Sequence, residues 1–196
     1  MARPSDNFRS PASLLLFFGT TIAGFCIDLW TKALAVEHLK VGSSAREIQL
    51  IPDWLHFTYL NNYGAVFGLG QHQRWLFVLV SIGAIVFLTY LFALSTGRRF
   101  YQFLLGMLLA GVLGNMYDRI FYGYVRDMIH ALPGFYWPAS IAAMLPRQWA
   151  EGGVFPWVFN VADSLLCVGV FLMIVYSLFH KNEEEPGLEP QADQQT

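Results

Sequence analysis

Apolar residues run through this chain in four long blocks, not in the short periodic stretches of a soluble fold. They extend from Ser13 to Val36, Trp75 to Ser95, Tyr101 to Ile120 and Trp157 to Phe179. A bilayer-crossing helix takes about 20 residues, so each block predicts one span. The second block holds no charge, whereas the other three carry ionisable residues near one end. Between the blocks lie a long loop (37–74), a tight one (96–100) and a second long loop (121–156). In the first loop, Ile48 and Leu50, then Leu55, Phe57 and Tyr59, alternate with more polar residues, and Pro52 separates the two runs. Period-two alternation predicts strands, so this segment is expected to form two short strands around a turn. In the second loop Ile141, Met144, Leu145 and Trp149 fit one face of a surface helix that Pro146 limits. The fold class is therefore an all-α membrane protein: a four-transmembrane-helix bundle with a small β-rich periplasmic cap. Residues 1–180 make one membrane domain. The polar, acidic tail 181–196 cannot bury enough apolar surface to fold and is expected to be a disordered cytoplasmic tail.

Composition agrees with this reading. Hydrophobic residues make up 55% and charged residues only 13%, against about 25% charge in soluble domains. The net charge of -2 includes no basic block, which argues against nucleic acid as a partner. Cys26 and Cys167 lie in apolar runs and are expected to pack as small hydrophobes, not as a disulfide or metal site. Orientation follows basic residues beside the spans. Arg3 and Arg9 precede the first, Arg98 and Arg99 fill the tight loop, and Lys181 follows the fourth. Their density near the spans places both termini in the cytoplasm. The raw count does not, because the long loops carry Lys40, Arg46, Arg74, Arg119, Arg126 and Arg147. A cleavable leader ending near Ala33-Leu34-Ala35 is a rival reading of the first block. Asp28 and Lys32 interrupt the usual form of such a leader.

The acids carry the candidate chemistry. Asp28 lies late in span one, Asp118 at the end of span three, Asp127 nine residues further, and Asp163 early in span four. Spans one and three run outward and span four inward, so parity alone brings all four to one membrane face. Ionisable groups at such depth are costly and need partners or a function. Lys32, four residues after Asp28, shares its helix face. Arg119 lies beside Asp118, and Asn62, Asn115 and Asn160 add amides at the same level. Two carboxyls facing one water, with a single proton between them, give hydrolysis without a nucleophilic side chain. Topology permits Asp127 and Asp163 to form such a pair but does not fix their separation. No His-Glu-x-x-His or Gly-x-Ser-x-Gly pattern is present. The five histidines are scattered, with His130 nearest an acid of interest. Two other classes fit buried acids: an ion carrier with a carboxyl relay, and a lipid-head-group transferase using metal-bound aspartates.

The motifs resemble a known family. Asp28-Leu29-Trp30-Thr31-Lys32, Asn61-Asn62-Tyr63-Gly64-Ala65-Val66-Phe67-Gly68, Gly114-Asn115-Met116-Tyr117-Asp118-Arg119 with Gly123-Tyr124-Val125-Arg126-Asp127, and Phe159-Asn160-Val161-Ala162-Asp163 come in order. Together they are similar to the blocks of the bacterial lipoprotein signal peptidases (signal peptidase II), over residues 14–180. The resemblance implies an aspartic endopeptidase of the bacterial inner membrane. It would cut diacylglyceryl-modified prolipoproteins on the amino side of the lipidated cysteine and be sensitive to globomycin. It implies Asp127 and Asp163 as the catalytic pair, and Asn62, Gly64, Asn115, Arg119, Asn160 and Ala162 as site or substrate contacts. Asp28, Lys32 and Asp118 would be supporting residues. Neither a metal nor an organic cofactor is implied. The partners would be the prolipoprotein and membrane lipids, and the chain is expected to be a monomer. Departures are Leu29, Val66, a long stretch between the two acids, and Arg126 beside Asp127, whose charge would lower the pair's first pKa if it pointed inward.

Overall fold

The computed structural model describes residues 6–42, 44–64 and 70–180. Arg3, Val66, Lys181 and the acidic tail lie outside them. A short helix α1 (Asp6–Arg9) precedes α2 (Pro11–Leu39), the first span. Ser10 caps α2: its hydroxyl accepts from the Ser13 amide, and Pro11 opens the helix where its missing N–H costs nothing. A two-residue ribbon, β1 (Lys40–Val41) with β2 (Ser44–Ala45), leads into β3 (Ile48–Ile51) and β4 (Leu55–Asn62). Helices α3 (Arg74–Leu94) and α4 (Arg99–Phe121) are spans two and three. After β5 (Val125–Ala131) come α5 (Ala139–Ala142), α6 (Arg147–Glu151), β6 (Val158–Phe159) and the fourth span, α7 (Val161–His180).

Helix α4 is the hub. About 61% of its apolar window is buried, against 22% or less for the other three spans, and it packs against α2, α3 and α7. At one end of the bundle, Phe17 stacks on Phe92 at 4.2 Å within a cluster that includes Leu88, Leu105, Leu108 and Leu109. There Asn7 donates to the Phe92 carbonyl (2.7 Å) and Gln102 to Asn7 (3.2 Å), which pins α1 to the tight turn. Toward the other end, small residues let backbones meet. A β-carbon on Gly111 would lie 2.6 Å from the Ala162 carbonyl oxygen, and one on Gly114 would overlap the Asp28 carboxylate. That carboxylate is itself held by Lys32 and by the Ala162 amide, so it cannot yield. Gly114→Ala is therefore expected to destabilise the protein by about 1–3 kcal/mol through overpacking. The shift would be read as a lower melting temperature in detergent.

The cap is larger than the sequence reading. Its two expected strands are present as β3 and β4, joined through Pro52 with Asp53 at φ 63°. The sheet has four strands, in the order β3-β4-β5-β6, all antiparallel. Strands β5 and β6 come from segments read as loop and as span. Gly123 (φ 84°) turns the chain out of α4 and into β5. Span four begins at Val161, not Trp157, because Val158 and Phe159 pair with His130 and Ile129. The single surface helix is two: Pro138 precedes α5, and Pro146 ends that segment and caps α6. Ile141, Met144 and Trp149 are exposed there. The cysteines are free thiols, as expected, but both are exposed and not packed in the core, Cys167 on the wall of a cavity between α3, α4 and α7.

Candidate active site

Two turn motifs and one strand deliver the acids. Asn160 is the residue before α7, and its side-chain oxygen accepts from the Asp163 amide (3.0 Å). Asp163 reciprocates from the third helical position, its Oδ2 accepting from the Asn160 amide (3.3 Å). This is a capping box with Asp in the acid position. It fixes Asp163 at a helix N-terminus, where the peptide dipoles favour negative charge. Asp127 is carried on β5 opposite Leu60 and is fully buried. The register places Leu60, Asn62, Val125 and Asp127 on one face of the sheet, and Asn61 and Arg126 on the other.

Asparagines join the two acids. Asn160 Nδ2 donates to Asp127 Oδ1 (2.6 Å) and to Asn115 Oδ1 (3.2 Å). Asn115 Nδ2 donates to Asp163 Oδ1 (2.8 Å). Asn62 Nδ2 donates to Asp127 Oδ2 (3.0 Å), while its oxygen accepts from the Gly64 amide (3.0 Å). Each of the three amides expected at this level therefore contacts a carboxylate of the pair. Burial first, and the Asp163 carboxylate second, push the Asp127 carboxyl up from 3.8 to about 7. The sign for stability follows. Asp127 keeps a proton in the fold that it loses when unfolded, so its contribution is complete below 3.8 and fades as pH rises through about 7.

Behind the pair lies a second, fully buried layer. Lys32 Nζ contacts Asp28 (2.7 Å), Asp118 (3.4 Å) and Asn115 Oδ1 (3.2 Å). Asp28 Oδ1 accepts from the Ala162 amide (2.8 Å), which ties span one to the start of α7. Ala162 thus contributes its backbone to this layer. Asp118 receives the Arg126 guanidinium through Nε and Nη2 (2.7–3.2 Å) and the Arg126 amide (2.9 Å). Two acids and two bases form a neutral chain that extends the Asp28–Lys32 pair seen in the sequence.

Arg119 and Arg126 exchange the roles their sequence neighbours suggest. Arg119 does not pair with the adjacent Asp118. It donates to the carbonyls of Gly64 (3.1 Å) and Asn115 (3.4 Å) and lies over the Phe77 ring. Arg126 turns away from Asp127, so its charge does not depress that carboxyl as an inward orientation would. Adjacent strand residues point to opposite faces, which separates Arg126 from Asp127. His130 faces His56 across β4–β5 and makes no contact with the acid pair.

A cavity of about 910 Å³ opens beside the pair, between α3, α4 and α7. Asn62, Asn115, Arg119 and Asp163 form its polar end, and Phe77, Val80, Val112 and Leu166 are among its apolar walls. Such a site offers the Asp163 carboxyl at one end, with Asp127 buried behind the asparagines, and a surface for an acyl chain or apolar peptide along the other.

Residues 20–179 match the family described as signal peptidase II. The chain is 34% identical to the lipoprotein signal peptidase of Anoxybacillus flavithermus, over 84% of this chain and 86% of that one. It is 33% identical to that of Geobacillus thermodenitrificans, over 87% and 94%. With that of Alteromonas mediterranea the figure is 30%, over 91% and 90%. A bacterial membrane enzyme structure solved by the in meso method superposes with TM-score 0.69 at 27% identity, over 89% of this chain and 92% of that chain. A second structure of the same description gives TM-score 0.64 at 28% identity, over 85% and 92%.

Proposed function

The chain belongs to the signal peptidase II family, and on that premise we propose that Asp127 and Asp163 are its catalytic pair in removing signal peptides from prolipoproteins. The substrate is the diacylglyceryl-modified precursor, cut on the amino side of the lipidated cysteine. The asparagine bridge that joins the buried Asp127 carboxyl to the part-buried Asp163 carboxyl is the observation that carries this reading. Membership of a peptidase family replaces the ion-carrier and transferase readings.

The chemistry follows from the environments. Asp163, at the start of α7, is the ionised member and takes a proton from the attacking water. Asp127 holds its proton and polarises the scissile carbonyl. As the tetrahedral intermediate collapses, the carbon–nitrogen bond breaks and a proton passes to the leaving amine. Asn62, Asn115 and Asn160 hold the carboxyls at fixed angles, so little reorganisation accompanies reaction. Arg119, with the Gly64 carbonyl it grips, borders the peptide path. The acyl chains occupy the apolar walls of the cavity and position the peptide bond. Asp28, Lys32 and Asp118 support the pair from behind. We place both termini in the cytoplasm and the site at the periplasmic face, and the functional unit is one chain.

Cleavage is expected to fall as pH rises through about 7, because Asp127 then loses the proton it must donate. A pH profile in liposomes checks this; a rate still climbing well above that value would contradict the assignment. The function itself is tested with purified protein and two precursors, one diacylglyceryl-modified and one carrying Ser for the modified Cys. Cleavage of the lipidated precursor alone, before its first lipidated residue, is the expected result. Equal cleavage of both would remove the lipid from the recognition mechanism.

A further inference from the structure

The sheet has two faces, and the second covers a separate cavity of about 410 Å³. It is lined by Ala33, Val36, Lys40, Tyr59, Tyr122, Tyr124 and Arg126, with no acidic side chain among them. Ala33 and Val36 belong to the last turns of α2, and Tyr122 directly follows α4. The cavity therefore sits where two spans leave the membrane, at headgroup level.

Its chemistry is that of an anion site. Arg126 is buried, with Nε and Nη2 on Asp118. The four-group chain of Asp28, Lys32, Asp118 and Arg126 is already neutral, so Lys40 is a cation in excess. The Tyr59 hydroxyl is buried at the wall of this cavity, with Tyr124 as its polar neighbour. An anion in the cavity would give that hydroxyl a charged acceptor in place of a neutral one. Burial and the neighbouring Tyr124 push the Tyr59 phenol above its ordinary value, so it stays a donor at physiological pH. The rings already face cations, Lys40 over Tyr59 at 5.4 Å and Arg126 over Tyr122 at 4.3 Å. That leaves no aromatic box for a quaternary ammonium.

We propose that this cavity binds the phosphate of an anionic lipid headgroup, held by Lys40, the Tyr59 hydroxyl and the Arg126 guanidinium. Phosphate oxygens accept from all three donors, and a basic cavity beside span ends is where headgroups are bound. The lipid is distinct from the peptide substrate, which occupies the other face of the sheet. Because Arg126 and Asp127 are adjacent on β5, an occupied site would also brace the strand that carries the acid.

The test uses the purified full chain in detergent, with bound lipid counted by native mass spectrometry. Dioleoyl phosphatidylglycerol is compared with dioleoyl phosphatidylcholine, and inorganic phosphate serves as competitor. Phosphatidylglycerol is expected to bind about tenfold more tightly than phosphatidylcholine, because both bring a phosphate but choline also brings a cation beside Lys40 and Arg126, which favour net negative charge. Lys40→Gln and Tyr59→Phe are each expected to weaken it about fivefold. Lys40 is exposed, so its variant carries the test even if Tyr59→Phe lowers the melting temperature. Unchanged phosphatidylglycerol binding in Lys40→Gln, or equal retention of the two lipids, would overturn the proposal. Release of the lipid by low-millimolar inorganic phosphate would assign the site to a free anion and overturn it equally.

Discussion

Replacing Asp127 or Asp163 by Asn is expected to reduce cleavage of a lipidated precursor by at least about a thousandfold, with little change in melting temperature. General acid–base groups contribute roughly 10² to 10⁴ each, and members of one catalytic unit cost nearly as much singly as together. Asparagine has the shape of aspartate, and both positions are surrounded by amides that can donate or accept. Asn160, Asn62 and Asn115 can therefore still satisfy the new side chains after an amide flip. The fold is retained while the proton bookkeeping is lost. For Asp127→Asn, melting temperature should also depend less on pH between about 4 and 7, because the proton-linked contribution of that carboxyl is gone. A near-normal rate in either variant would remove that residue from the chemistry.

The second large effect belongs to Lys32. Its ammonium is completely buried between Asp28 and Asp118. Lys32→Met keeps the length and apolar stem but leaves two buried carboxylates with one remaining cation, Arg126, which pairs with Asp118. Breaking a buried ion pair from one side costs about 3–5 kcal/mol. Lys32→Met is therefore expected to lower stability by that order and to reduce activity, since Asp28 also anchors the Ala162 amide at the start of α7. The quadruple change that removes Asp28, Lys32, Asp118 and Arg126 together, with apolar residues of similar volume, should be milder in stability than Lys32→Met alone, because no buried charge is left without its partner. Thermal melting and urea titration of the three proteins in one detergent distinguish a charge effect from simple loss of packing.

The spans and the gathering of the acids were legible because both follow from the longest-range regularities in the chain. Four apolar blocks fix parity, and parity alone sends Asp28, Asp118 and Asp163 to one end. The first strand pair was legible because β3 and β4 alternate with period two. Strand β5 was not, because Val125, Arg126, Asp127 and Met128 are all buried. One face meets the cavity beside the acid pair and the other the ion chain, so polarity does not alternate. The short apolar run Val158-Phe159 extended the fourth block in hydropathy, and hydropathy does not separate a buried strand from a helix turn. The Arg126–Asp118 pair needed the strand register, which is set by β4, where Asn61 pairs with Arg126 from far earlier in the chain. One local signal was available and unused. Asn160 followed three residues later by an acid marks a helix N-terminus, and it would have started α7 at Val161.

The most direct test of the acid pair is an infrared titration of the Asp127 carboxyl, isolated as the difference between the protein and Asp127→Asn, in the presence and absence of the Asp163 charge. With Asp163 intact the protonated carboxyl band should disappear with a midpoint near 7. In Asp163→Asn the midpoint should move down, because the like charge that helps hold the proton is gone. A midpoint that does not move would mean that the two carboxyls do not sense each other, and a shared-proton mechanism at this site could not stand.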